Sequence, residues 1–182
     1  MLLGEGAAIF VLERAEDALR RGVEPLAEVV SLGLSCDAYH ATAPEPEGRG
    51  MRRAMEAALT TAGIPPEAVG WVNAHGSGTR LSDLAEGRAL RSLFGERMPL
   101  VSASKGALGH ALGASSALEL AISVEGLRTQ QVPPTPGHDQ LDVECGVACT
   151  RQTTGASVRW MLNNAFAFGG VNSSLLVGRW DS

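Results

Sequence analysis

Apolar and polar positions change period several times along the chain, and each change marks an expected element. Residues 7–12 are a short continuous apolar run and read as a buried strand. A short helix around residues 15–21 follows, stopped by Gly22. Residues 26–34 alternate as a strand does, and 37–48, with Pro44, Pro46 and Gly48, form a loop. Met51, Ala54, Met55, Ala58, Leu59 and Ala62 recur at three- and four-residue steps, which predicts an amphipathic helix with Gly63 as its C-terminal cap. Pro65 and Pro66 prevent its continuation.

Further on, 69–73 and 100–103 read as short strands around a helix at 81–94, with Gly95 behind it. Residues 112–127 are so rich in Ala, Leu and Ser that a helix buried on most sides is expected, ended by Pro133, Pro134 and Pro136. Two strands, 158–163 and 173–177, flank a turn at 166–170 and are expected to be sheet neighbours. Strand, loop and helix in alternation imply parallel strands with helices packed on the sheet. The strand that begins at residue 7 is expected to lie against something the chain does not contain.

Bulk properties narrow the function classes. The length of 182 residues suits one domain with a real core. A net charge of −5 without a long basic run argues against nucleic acid. The one local cluster, Arg49, Arg52 and Arg53, reads as a solvated helix face, with a small acidic carrier protein as the alternative user. No window approaches the roughly 18 apolar residues of a membrane span. Cys36, Cys145 and Cys149 are odd in number, with no CxxC pair and no secretory signal before them, so a reducing cytoplasm is expected. None has a basic neighbour or helix N-terminus that would make it a nucleophile. Cys145, Cys149 and His138 match no zinc spacing, and no metal is expected.

The chemistry concentrates at two histidines, each placed where an apolar run gives way to glycines and then to a helical pattern. His75 lies in Asn73-Ala74-His75-Gly76-Ser77-Gly78-Thr79, and His110 closes Ser104-Lys105-Gly106-Ala107-Leu108-Gly109-His110. Such positions sit at the carboxyl ends of strands, where α/β ligand sites gather. Either histidine alone reads as a satisfied polar residue in a turn. Two converging imidazole N–H groups would instead make an oxyanion site. Lys105 precedes His110 by five residues and could orient it, although a lysine is usually a surface residue. Glu119 lies inside an apolar helix, where a carboxylate needs a partner unless it faces a solvent groove.

With Leu3-Gly4-Glu5-Gly6-Ala7 and Asn164-Ala165-Phe166-Ala167-Phe168-Gly169-Gly170-Val171-Asn172, these motifs resemble the β-ketoacyl synthase (condensing enzyme) family in order and spacing. The resemblance covers residues 1–182 as the C-terminal half of a family member, without the half that carries the nucleophilic cysteine. It implies an α/β fold, the C-terminal half of a thiolase-like α-β-α-β-α arrangement, with a mixed sheet and helices on both faces. It implies an acyltransferase, incomplete alone, that condenses an acyl thioester with malonyl carried on acyl carrier protein in fatty acid or polyketide biosynthesis. His75, His110, Lys105 and Glu119 are the implied catalytic group. Thr42, Ser77 and Thr79 would contact a phosphopantetheine arm, or serve only as local caps. Phe168, Gly169 and Gly170 would gate an acyl tunnel, with plain core packing of Phe168 as the alternative. The family pattern has glycine at Ala167, so the ease of gate opening differs here. No cofactor is implied beyond the phosphopantetheine of the carrier. Implied partners are a cysteine-bearing N-terminal ketosynthase half in a hetero-oligomer, acyl carrier protein, and acyl and malonyl thioesters. A split synthase and a fragment of a longer one both fit, and a noncatalytic scaffold resembling a chain-length factor is the alternative function. An orphan domain left by gene decay is disfavoured by the intact spacing.

Overall fold

A computed structural model describes residues 1–181. Its centre is a five-stranded mixed sheet of β1 (Ala27–Cys36), β2 (Val69–Asn73), β3 (Leu100–Ser102), β6 (Trp160–Ala167) and β7 (Val171–Arg179), in the order β1-β7-β6-β2-β3. β1 pairs antiparallel with β7, and β7 with β6 across the turn at Phe168–Gly170. β2 runs parallel to both β6 and β3. A two-residue pairing of β4 (Gln131–Val132) with β5 (Thr154–Gly155), absent from the sequence expectation, closes the loop region that the prolines begin.

Period-two alternation on the central strands sends side chains to two separate cores. Val72, Val101, Leu162 and Leu176 face α2 (Arg49–Ala62) and α3 (Arg80–Phe94), whose stripes of Met51, Met55, Ala58, Leu59, Ala89 and Leu90 cover them. Trp71, Met161 and Val177 point the other way, toward Leu127 of α5 (Ser115–Thr129) and Val132. Two short helices complete the chain, α1 (Ala15–Arg20) and α4 (Lys105–Leu108). Because β2 and β3 are parallel neighbours, their carboxyl ends at Asn73 and Ser102 lie side by side. The turns bearing His75 and His110 therefore leave the same end of the sheet.

Two expectations are corrected. Residues 7–12 are not a strand and have no sheet neighbour; Ile9 is 94% exposed and Val11 86%. A strand exists only where a ladder partner takes its backbone groups, and no described residue does so. The helix expected over 112–127 starts at Ser115 after a 3₁₀ turn at Leu112–Ala114. It is also not buried on most sides. Its fully covered positions include Ser115, Glu119 and Ser123, while its apolar residues Leu118, Leu120 and Ile122 are only half-covered.

Candidate active site

His75 stands two residues past β2 on a turn held from behind by α3. Glu86, buried in the α3 face that carries Ala85, Ala89 and Leu90, accepts the His75 N–H at 2.8 Å on one carboxylate oxygen and the Gly76 N–H at 2.9 Å on the other. Burial pushes the Glu86 carboxyl above its usual range, against the pull of those two main-chain donors. On the inner side, Lys105 at the start of α4 donates to the His75 carbonyl oxygen and pairs with Glu119 on α5. His75 as a residue is 7% exposed. Burial, with the Lys105 charge and His110 adding to it, lowers its pKa to about 3, so the imidazole is neutral throughout the working range.

His110 follows Gly109 at the end of α4. Its Nδ1 accepts the Leu112 N–H at 3.1 Å and lies 3.0 Å from Ser115 Oγ. A main-chain N–H is always a donor, so Nδ1 carries no proton and the neutral ring holds its hydrogen on Nε2. Burial and then the Lys105 charge lower the His110 pKa. The two rings stand with centroids 5.5 Å apart at 78°, and Phe166 lies 5.9 Å from His75. Two neutral imidazoles at one strand end can stabilise an oxygen that becomes negative.

Lys105 differs from expectation in what it holds. It is buried, 8% exposed, and its bonds go to the His75 carbonyl and to Glu119; it acts on His110 through charge alone. Glu119 does not face a solvent groove. Its pKa rises to about 7 because burial outweighs the attraction of Lys105, and its second oxygen is buried with no partner among the described residues. Ser77 and Thr79 share a hydroxyl contact at 2.8 Å, and Ser77 reaches Asp83 at 3.4 Å. Thr42 is exposed on the 37–48 loop, where its N–H donates to His40 Nδ1 at 3.1 Å. That loop is bonded to the Phe168 turn: the Gly169 N–H donates to Ala41 O at 2.7 Å and the Asp37 N–H to Gly170 O at 2.8 Å. Thr42 and the glycines 169 and 170 thus belong to one loop cluster. Phe168 is 75% exposed and does not pack in the core of this chain.

Glu86, Asp83 and Ser115 escaped the sequence reading. The available signal was a pair of carboxylates, Asp83 and Glu86, soon after His75, with Glu86 on an otherwise apolar helix face. Cys145 and Cys149 are half-buried, and burial is the chief cause that pushes the Cys149 thiol up to about 11 and raises Cys145 as well. Among the described residues no cluster of three or more His, Cys, Asp or Glu side chains could hold a metal ion, and no helix is long and apolar enough to cross a membrane. A cavity of about 280 Å³ lies behind the His75 turn, between α3 and the 135–149 loop, and neither histidine lines it.

Residues 26–139 match the family described as beta-ketoacyl synthase, C-terminal domain. The chain belongs to this family. It is 42% identical over 183 residues to 3-oxoacyl-(acyl-carrier-protein) synthase 2 of Vibrio cholerae serotype O1, covering 98% of this chain and 44% of that relative. A solved structure described as the ishigamide ketosynthase/chain length factor superposes with TM-score 0.94 at 39% identity, over 98% of this chain and 44% of the other. A type II PKS acyl-carrier protein in complex with its ketosynthase bound to the hexaketide gives TM-score 0.89 at 29% identity, over 93% of this chain and 42% of the other. The chain therefore spans less than half the length of the ketosynthases it matches. Its mixed sheet with helices on both faces is the C-terminal half of their thiolase-like α/β fold.

Proposed function

We propose that residues 1–182 form one ketosynthase C-terminal domain that supplies the two histidines of a decarboxylative Claisen condensation in fatty acid or polyketide biosynthesis. The observation that carries the reading is the pair His75 and His110, both kept neutral by their surroundings, with the His110 hydrogen fixed on Nε2. An acyl group would rest as a thioester on a cysteine outside this chain, on an N-terminal ketosynthase half or a partner polypeptide. Malonyl thioester on acyl carrier protein then loses carbon dioxide: the carbon–carboxylate bond breaks and its electron pair moves into the thioester as an enolate. The imidazole N–H groups hold the negative oxygen. The enolate carbon attacks the acyl carbonyl, and the cysteine leaves as thiolate. Thr42, Ser77 and Thr79 would line the approach of the phosphopantetheine arm, and Phe168 would gate the acyl tunnel. No metal or redox cofactor is needed, and the reaction suits the cytoplasm. The uncovered apolar residues Ile9, Val11 and Leu12 favour a partner surface for this face.

The test joins the chain to a cysteine-bearing ketosynthase half and follows carbon dioxide release from malonyl-acyl carrier protein beside acyl transfer to the cysteine. His75→Ala and His110→Ala should each slow release by about 10²–10³-fold, the usual effect of one oxyanion donor, with acyl transfer partly retained. Normal release in both variants would overturn the reading. It would leave the second one, a noncatalytic chain-length-factor-like subunit, which the pairing of ketosynthase and chain length factor in a matched structure favours.

A further inference from the structure

Residues 1–4 carry a contact with His110 that the reaction above does not account for. Leu3 forms a parallel bridge with His110. The His110 N–H donates to Leu2 O at 2.8 Å, and the Gly4 N–H donates to His110 O at 3.1 Å. Both main-chain groups of the histidine are therefore taken by a segment remote in sequence. The approach is backbone against backbone: a Cβ on Gly4 would lie 2.2 Å from Leu108 O, and one on Gly109, at φ +73°, would lie 2.8 Å from Gly4. Side-chain burial contributes little here, since Leu2 is 80% exposed and Leu3 65%. Just beyond, Leu112 holds φ +50°, a left-handed conformation a leucine keeps only where its surroundings enforce it. Its N–H is the donor that fixes the His110 ring.

We propose that Gly4 is a positioning residue for His110, through a backbone clasp at Leu2–Gly4 that sets the register of the 109–112 turn so that the Leu112 N–H meets Nδ1 and Nε2–H is presented to substrate. The inference rests on the role proposed for His110 and deepens it. Gly6 supplies the internal contrast. A Cβ there would meet Leu118 Cδ1 at 2.8 Å, the far end of a flexible side chain rather than backbone.

The ring can be read directly, without turnover. The chain has four histidines, so ¹⁵N-histidine signals can be assigned by single substitutions. In the unaltered chain His110 should show the separated ¹⁵N shifts of a fixed Nε2–H tautomer. Gly4→Ala and Gly109→Ala should bring those shifts together as the ring samples both tautomers, leaving His75 unchanged, and Gly6→Ala should match the unaltered chain. A chain lacking residues 1–4, which introduces no clash, should reproduce the Gly4→Ala spectrum. An unchanged His110 ring in that shortened chain overturns the proposal. So does loss of the His75 signals there, which would make residues 1–4 a general structural support. With the cysteine-bearing half added, Gly4→Ala should lower kcat for decarboxylation about 10- to 100-fold, as small misplacements of a catalytic group do, with KM for the malonyl carrier within about twofold. Should His110→Ala decarboxylate normally, the reaction role of His110 falls, and the ring spectra still decide whether the clasp positions it.

Discussion

His75 and His110 face each other on seats of opposite construction. The His75 turn is closed within the core: Glu86 holds its N–H from α3, and Lys105, braced by Glu119, holds its carbonyl. His110 sits at the margin, where its main chain is bonded to the exposed strap at residues 2–4 and its ring to Leu112 and Ser115. A seat made of buried charge cannot be loosened without loosening the fold. One made of backbone contacts at the surface can be disturbed alone. The same difference separates the histidine that is strongly shifted by burial from the one that burial shifts less completely.

The sharpest way to break the comparison is Glu86→Ala. It strands the buried His75 N–H and the half-buried Gly76 N–H, and each orphaned donor costs about 1–3 kcal/mol. Release of the buried carboxylate offsets a little of that, so a loss of about 2–4 kcal/mol is expected in denaturant unfolding, together with loss of decarboxylation. Glu86→Gln keeps one acceptor and should lose roughly half as much. A Glu86→Ala chain as stable as the unaltered one would mean that the His75 seat is not closed.

How much of this was legible beforehand follows the same divide. The stripe Met51 to Ala62, the strands around residues 69–73 and 158–163, and the two glycine-flanked histidines were readable because periodicity reports burial against the chain's own sheet. The run at 7–12 has the composition of a strand, but apolar content does not say whether a ladder partner exists. Helix α5 departs from expectation for a related reason: Ala and Leu predict burial, while the positions that face inward are Ser115, Glu119 and Ser123 together with Gly126 and Leu127. Lys105 is expected to orient His110, and the structure bonds it instead to the other histidine, His75. Its true acceptor is a main-chain carbonyl, which leaves no mark in sequence. Glu86 leaves a readable mark, a carboxylate among Ala85, Ala89 and Leu90, but its acceptor role serves backbone rather than side chains and so has no partner residue in the sequence pattern.

A smaller effect sets two buried groups of the His75 seat against each other by pH. His75 has its pKa lowered from 6.5 to about 3, so the unfolded chain takes up a proton that the folded one refuses. Its contribution to stability is present above pH 6.5 and is lost as pH falls toward 3, by up to about 1.4 kcal/mol per unit. Glu119 has its pKa raised from 4.5 to about 7. Its contribution is present below pH 4.5 and is lost as pH rises toward 7, the opposite slope. Between pH 4.5 and 6.5 the two oppose each other. Relative to the unaltered chain, His75→Gln should therefore tilt the stability profile toward falling with rising pH across that window, and Glu119→Gln should tilt it toward rising. Parallel profiles for the two variants would show that burial does not set these two groups apart.

The smallest effect on stability is expected at Phe168, which belongs to neither seat. With 75% of its surface exposed and its turn held through main-chain atoms of Gly169 and Gly170 rather than through its ring, Phe168→Ala should leave the melting temperature within about 1 °C, because surface substitutions outside packed or bonded features stay within about 0.5 kcal/mol. If the ring gates an acyl tunnel, the same variant should alter the rate at which acyl groups of different length load onto the partner cysteine while malonyl decarboxylation stays near normal. Ala167→Gly is the complementary variant. Ala167 has φ −129° and ψ 164°, an extended conformation that alanine adopts without strain, so the closed turn does not demand glycine there. Any gain in loading rate from Ala167→Gly must then come from conformations the turn visits on opening, which a glycine reaches more easily. A loading profile unchanged in both variants would remove the gate and leave Phe168 as an exposed aromatic on a surface turn.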